Sequence, residues 1–273
     1  MQVIKKGDLN IHVVSSPLEG ELVNSIILES ANKLMMIDAP LLRPYSKAMR
    51  AYADQLGKPI DRILITHSHP DHWAGLEHFE DQEIYALAET KKQIEEMGDW
   101  LLSYHQQLHG ELVTDRKVVP KHLIEAGALQ VDGIDYNVMK IVNSEINYML
   151  VIDIPKYKTI IAQDLIYNKV YLFLGEKTTS GELCFDSWVS QLEHIKMGGY
   201  ELVIPGHGEP DDASVIDRNI EYIQSAKALF ESAESGELFL GSMMAKYPEY
   251  RLPNFLYMTN YFLFPTTPEA PTE

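Results

Sequence analysis

The sequence predicts an α+β chain whose β-sheets pack face to face with helices on their outer sides. Three observations carry this expectation. Two strand-rich blocks, each followed by helical segments, account for the chain in order. Its 273 residues, 45% of them apolar, suffice for a large core, because a chain of this length buries roughly 75% of its unfolded surface. No internal repeat suggests a solenoid or propeller.

The elements follow in chain order. "VIKKGDLNIHVV" reads as two strands around Gly7-Asp8, and "ELVNSIILES" and "NKLMMIDA" as two more, joined at Ala31-Asn32. "YSKAMRAYADQL" has helical spacing and stops at Gly57-Lys58-Pro59. "DRILIT" is a short apolar strand, "AGLEHF" a short helix and "EIYAL" a strand. A long helical segment spans 89–108. "ALQVDGIDYNVMKIV" forms a hairpin turning at Asp132-Gly133, and "YMLVIDI" and "KTIIAQDLIY" are strands around Pro155-Lys156. "CFDSWVSQLEHIKM" is an amphipathic helix, "YELVIP" a strand and "DASVIDRNIEYIQSAKALFESAES" a long helix. The organisation expected is one domain over 1–265, with helical elaborations at about 89–110 and 211–265, and a flexible proline-rich tail at 266–273.

Composition narrows the function. The formal charge of −17 disfavours nucleic acid, whose phosphates need lysine and arginine. Cys184 is the single cysteine, so no disulfide framework exists within the chain. The N-terminus lacks an apolar signal region and no run reaches membrane-spanning length, which leads to a cytoplasmic assignment. The expected partner is a small-molecule substrate, with neither nucleic acid nor membrane.

"THSHPDHWAG", residues 66–75, follows the apolar run "RILI" directly. On an extended segment, residues i and i+2 project to one side, so His67 and His69 can grip one metal. The chain must turn after Pro70, and Asp71 and His72 then project elsewhere, towards a second metal. Imidazole and carboxylate suit zinc, iron or manganese. A polar loop with scattered histidines is the plainer alternative, and four ligand-type residues directly after a strand argue against it.

This H-x-H-x-D-H run resembles that of the metallo-β-lactamase-fold hydrolases, a group that includes glyoxalase II and lactonases. "MMIDAP" with Asp38, "IIAQDLIYN" with Asp164 and "VIPGHGEP" with His207 resemble three further landmarks of that family, in order over roughly residues 10–210. The resemblance implies a four-layer αβ/βα sandwich with the site at one edge of the two sheets. It also implies two divalent metal ions, zinc foremost, with manganese or iron as alternatives. His67 and His69 would hold the first, Asp71, His72 and His207 the second, and Asp164 would bridge them. The family's further histidine falls ten residues before the proline that closes the next strand; counting back from Pro155 reaches Glu145 instead. Glu145 either ligates, making the first site harder and more acidic, or faces solvent and leaves that site weak or empty.

The implied chemistry is hydrolysis. A water bridging two cations has a lowered pKa, and the resulting hydroxide opens a small ester, lactone, thioester or amide. Asp71 orients the nucleophile and passes a proton to the leaving group. Tyr167 lies three residues after Asp164, the spacing of a tyrosine in relatives that open acyl-homoserine lactones. It either donates to the developing oxyanion or packs at a strand end. An iron oxygenase or redox enzyme on the same fold, and a non-catalytic binding protein with a degraded site, are the alternatives. His12, His78, His105, His109, His122 and His194 stand outside the landmarks and read as surface or packing residues. Trp73 either walls the pocket or packs. The aromatic 89–108 segment and "YRLPNFLYMTNYFLFP" are expected to pack, with a substrate mouth or a homodimer contact as their other uses.

Overall fold

The computed structural model describes residues 1–265, and the tail expected at 266–273 lies outside them. The first sheet has seven strands in chain order: β1 (Gln2–Lys6), β2 (Leu9–Ser15), β3 (Asn24–Glu29), β4 (Leu34–Ile37), β5 (Ile60–Ile65), β6 (Ile84–Ala86) and β7 (His122–Leu123). It is antiparallel from β1 to β4 and parallel from β4 to β7. The second sheet runs β12 (Leu202–His207), β11 (Thr159–Tyr167), β10 (Tyr148–Ile154), β9 (Ile134–Val142) and β8 (Gly127–Val131), parallel only between β11 and β12.

Side-chain alternation along the central strands builds three apolar layers. Leu28, Met35, Ile37 and Leu64 face the second sheet, where they meet Leu150, Ile152, Ile161 and Ile204. Ile27, Met36, Ile63 and Ile65 point outward onto helices α1 (Arg43–Gln55) and α3 (Ala88–His109). Ile160, Ala162 and Leu165 point outward from β11 onto α4 (Phe185–Lys196), α5 (Ser214–Ser232), α6 (Gly236–Lys246) and α7 (Pro253–Leu263). Strands buried on both faces carry apolar residues on both, which is why "LMMI" and "RILI" read as continuous runs. The result is the four-layer αβ/βα sandwich.

The hairpin at Asp132-Gly133 forms as expected. Both residues have positive φ, 49° and 80°, as a two-residue type I′ turn requires. The Asp132 carboxylate also accepts hydrogen bonds from Ser30 Oγ at 2.8 Å and Asn32 N at 2.6 Å, tying this hairpin to the β3–β4 turn of the other sheet. One local expectation needs correction. "AGLEHF" forms a 3₁₀ segment, Ala74–His78, after the single turn α2 (Pro70–Trp73). It packs flat against α1, with Gly75 so close that a Cβ would stand 2.5 Å from both the Pro40 carbonyl and Ser46. Strand β7 was too short to leave a pattern. Helices α6 and α7 lie in an aromatic-rich region with little apolar–polar contrast, although α7 buries Phe255, Leu256, Thr259 and Leu263 along one stripe.

At one end the sheets are stitched together. Asn24 Nδ2 donates to the carbonyls of Pro205 at 2.9 Å and Gly208 at 2.6 Å. Leu150 N donates to Thr66 O at 2.9 Å, and Val23 bridges His207. Among the described residues no helix is long and apolar enough to cross a membrane.

Glu29, on β3, gathers Lys58 Nζ at 2.7 Å, Asn10 Nδ2 at 2.8 Å and His12 Nε2 at 3.1 Å. Burial alone would raise its carboxyl, but these hydrogen bonds outweigh burial and hold it at about 2, against 4.5 for the free group. The folded value is the lower one. The stabilisation is therefore complete above 4.5 and drains away as pH falls towards about 2. Glu29→Gln should flatten that acid limb: urea midpoints at pH 7, 4 and 2.5 should fall less steeply in the variant. Parallel slopes would show that Glu29 carries none of the acid sensitivity.

Candidate metal centre

The stitched end of the sandwich is where the polar landmarks meet. Strand β5 delivers Thr66 and then the extended His67-Ser68-His69, with His69 at φ −71° and ψ 137°. Pro70 occupies the start of α2, where its missing N–H costs nothing, and the turn directs Asp71 and His72 towards Asp164 and His207, with the His72 ring still 4.2 Å from that of His67. Glu145 comes from the β9–β10 connection, Asp164 from β11 and His207 from the end of β12. Gly206 is required beside Asp164, because a Cβ there would lie 1.8 Å from Asp164 Oδ1.

These side chains form two quartets that share Asp164: His67, His69, Glu145 and Asp164, and Asp71, His72, Asp164 and His207. In the first, His69 Nδ1 lies 3.1 Å from Glu145 Oε1, and His67 Nε2 lies 3.6 Å from Asp164 Oδ2 and 4.0 Å from Glu145 Oε2. In the second, His72 Nε2 lies 3.2 Å from both Asp71 Oδ2 and Asp164 Oδ1, and His207 Nε2 lies 3.4 Å from Asp71 Oδ2 and 3.2 Å from Asp164 Oδ2. Ligands on a tetrahedral zinc at about 2.0–2.1 Å stand about 3.3 Å from one another, which the separations given for the second quartet match and those of His67 in the first exceed by up to about 0.7 Å.

Their hydrogen bonding fits a cation too. His67 Nε2, His72 Nε2, Glu145 Oε2 and Asp164 Oδ1 are all buried without a hydrogen-bond partner. His72 Nε2 and Asp164 Oδ1 are close to each other but not aligned for a hydrogen bond. Four buried, unpaired polar atoms converging on two points are costly unless cations satisfy them. Glu145 is 1% exposed, so of its two expected alternatives the solvent-facing one is absent.

The outer contacts orient the imidazoles. Asp38, buried and at φ 61°, accepts hydrogen bonds from Thr66 N at 2.8 Å, Thr66 Oγ1 at 2.7 Å and His72 Nδ1 at 2.7 Å, and another from Gln163 Nε2. His207 Nδ1 donates to the Glu21 carbonyl at 2.6 Å. With each Nδ1 a donor, each Nε2 lone pair points inward. Electrostatics follow the crowding. Burial, with His72 beside it, pushes His67 well below the usual histidine value. For His72, burial is outweighed by Asp164, Asp71 and Asp38, which hold it well above. Burial raises Glu145 to about 7, against the pull of His69. For Asp164, burial is outweighed by His72 and His207, which hold its carboxyl well below the usual range.

Tyr167 also reaches the site. Its hydroxyl donates to Asp164 Oδ2 at 3.1 Å and its ring packs 4.8 Å from that of His207. Phe255 of α7 lies 5.2 Å from the His207 ring and Phe173 6.4 Å from that of His69. The C-terminal aromatic segment thus contributes a wall of the site. Trp73 is fully buried and donates to Ser68 O at 2.8 Å, so it packs rather than lines the cleft. His12, His78 and His122 have protein partners, Tyr52 and Glu29, Ser46, and Glu83, as expected of packing residues. His105 and His109 do not conform: they come together with Glu21, whose carbonyl holds His207. Their i, i+4 spacing on a helix was the available signal. Cys184 is buried, and burial pushes its thiol up to about 11.

Comparisons with known proteins agree with this architecture. Residues 18–140 match the family model of the metallo-beta-lactamase superfamily. The Bacillus subtilis (strain 168) protein YobT is 35% identical over 103 residues, covering 37% of this chain and 42% of YobT, so the chain aligns with less than half the length of that relative. Among solved structures, metallo-beta-lactamase IND-7 superposes with a TM-score of 0.63 at 19% identity, over 82% of this chain and 97% of its own. FIM-1 from Pseudomonas aeruginosa, in its mono-zinc form, gives 0.62 at 14% identity, over 83% and 96%. The metallo-beta-lactamase from Pontibacter korlensis gives 0.60 at 16% identity, over 82% and 98%. At such identities the likeness to the solved structures is one of fold. Residues 18–140, somewhat under half of the chain, thus match the model of the metallo-beta-lactamase superfamily, and the solved structures share the fold.

Proposed function

We propose that the protein is a dinuclear metal-dependent hydrolase acting on a small ester, lactone, thioester or amide in the cytoplasm. The observation that carries this reading is the pair of buried quartets sharing Asp164, with unpaired nitrogen and oxygen atoms aimed at two points. His67, His69 and Glu145 would hold one cation, Asp71, His72 and His207 the other, and Asp164 both. When bound, the cations supply a water of lowered pKa and polarise the scissile carbonyl.

The remaining work falls to the chain's own groups. Asp71 can take the proton of the attacking water and return it to the leaving group. Tyr167, its hydroxyl now on Asp164 Oδ2, offers that O–H to the oxygen on which charge develops. Asp38 and the Glu21 carbonyl keep His72 and His207 in one tautomer, so the inner face needs no reorganisation. Phe173 and Phe255 favour a substrate with an apolar portion beside the carbonyl. Zinc is the first metal to try, since the superposing FIM-1 is described in a mono-zinc form. The carboxylate of Glu145 in place of an imidazole shifts the first site towards manganese or iron.

Two measurements test this reading. Elemental analysis after reconstitution should give at least two metal equivalents. Glu145→Ala should lose one, leave the melting temperature within a few degrees of the wild type at matched occupancy, and cut activity by orders of magnitude at neutral pH. Glu145→His should retain both equivalents and prefer zinc. Unchanged occupancy in Glu145→Ala would remove Glu145 from the ligand set.

Turnover of a lactone, thioester and β-lactam panel under strict anaerobiosis should match turnover in air. Oxygen uptake stoichiometric with product would replace the hydrolase by an oxygenase.

A further inference from the structure

We propose that Glu21, His105 and His109 form a third cation site, which takes a divalent first-row metal ion and stands beside the two quartets without sharing a residue with them. The ligand atoms of these three side chains lie within 4.8 Å of one another. His105 and His109 are one turn apart on α3, so they project from the same face of the helix. Their rings are parallel to within 9° with centroids 6.3 Å apart. Glu21 closes the triangle from the turn before β3, where it is locked at φ 64° by the hydrogen bond from its N–H to Leu18 O.

Two features separate this cluster from ordinary packing. His105 Nδ1 is buried and has no hydrogen-bond partner, whereas His12, His78 and His122 each have one. A ring nitrogen shut away from water without a partner is destabilising, and a cation would remove that penalty. The cluster is also chemically selective. Two imidazoles and one carboxylate suit zinc, cobalt, nickel or manganese, while magnesium and calcium prefer all-oxygen shells. Three protein ligands leave a position open, the pattern of a site that also binds solvent or an anionic group. All three side chains are partly exposed, so small rotations can draw them to the about 3.3 Å spacing of a coordination shell.

The site is coupled to its neighbour through one residue. The carboxylate of Glu21 would hold the third ion while its carbonyl accepts from His207 Nδ1. Occupancy would therefore stiffen the residue that orients a ligand of the second quartet, and the open position would place an extra positive charge near substrate.

The test is a metal count on the full-length, metal-loaded protein. Zinc alone is titrated into wild type, His105→Ala/His109→Ala and Glu21→Gln, with bound zinc counted after equilibrium dialysis. Each variant should bind one equivalent fewer than wild type at saturation, or bind that equivalent at least ten-fold more weakly, with the circular dichroism spectrum unchanged. Glu145→Ala serves as the reference for loss from the quartets: its missing equivalent should be additional to the one lost in the double variant. Equal zinc counts and affinities in wild type and Glu21→Gln, which preserves volume and fold, would overturn the site whatever the quartets hold.

Discussion

Asp38, Asp71, Glu145 and Asp164 are four carboxylates buried at a single seam between two sheets, and the local structure follows from that constraint. In a low-dielectric interior, each unpaired charge would cost several kcal/mol. The protein answers with imidazoles on every side and with backbone and side-chain donors on Asp38. The residual imbalance is the set of inward-facing atoms with no protein partner. Asn24, Leu150 and Val23 tie the two sheets together at this end and hold the crowded carboxylates in a fixed frame.

The open side of the site is equally specific. Of the seven side chains in the quartets, His69 is the most exposed, at 28% of its side-chain surface, while His67, His72 and His207 are at or near zero. Access is therefore over His69, past Phe173, with Tyr167 and Phe255 behind His207. The approach is polar on the side of the quartets and aromatic on the other.

Much of this was legible in the sequence, and what was not has physical reasons. The run from His67 to His72 could be read because strand and turn geometry act over a few residues. The strands were plain because burial on both faces leaves continuous apolar runs. Asp164 and His207 stand far from that run, and resemblance rather than local geometry placed them. For Glu145 the residue could be located by counting, but whether it pointed inward depends on the β9–β10 connection and its packing. His105 and His109 were passed over because an i, i+4 histidine pair gains meaning only when a third group arrives from a distant turn, here Glu21. Helices α6 and α7 fall inside the helical elaboration expected over 211–265, but their bounds stayed blurred because aromatic residues cover both buried and exposed faces.

The shared aspartate has a further consequence for how the molecule is made. Asp38, the 67–72 run, Glu145, Asp164 and His207 belong to five separate stretches spread over some 170 positions of chain, and they meet only when the second sheet docks on the first. Closing loops of that length is slow, so assembly of this pocket belongs late in folding. Before docking, each sheet carries only part of either ligand set, His67, His69, Asp71 and His72 on the first and Glu145, Asp164 and His207 on the second. Ions held by ligands from both sheets would bind the docked form far better than the separated sheets. The metal centre would then act as a kinetic latch on the sandwich, slowing unfolding more than it speeds folding.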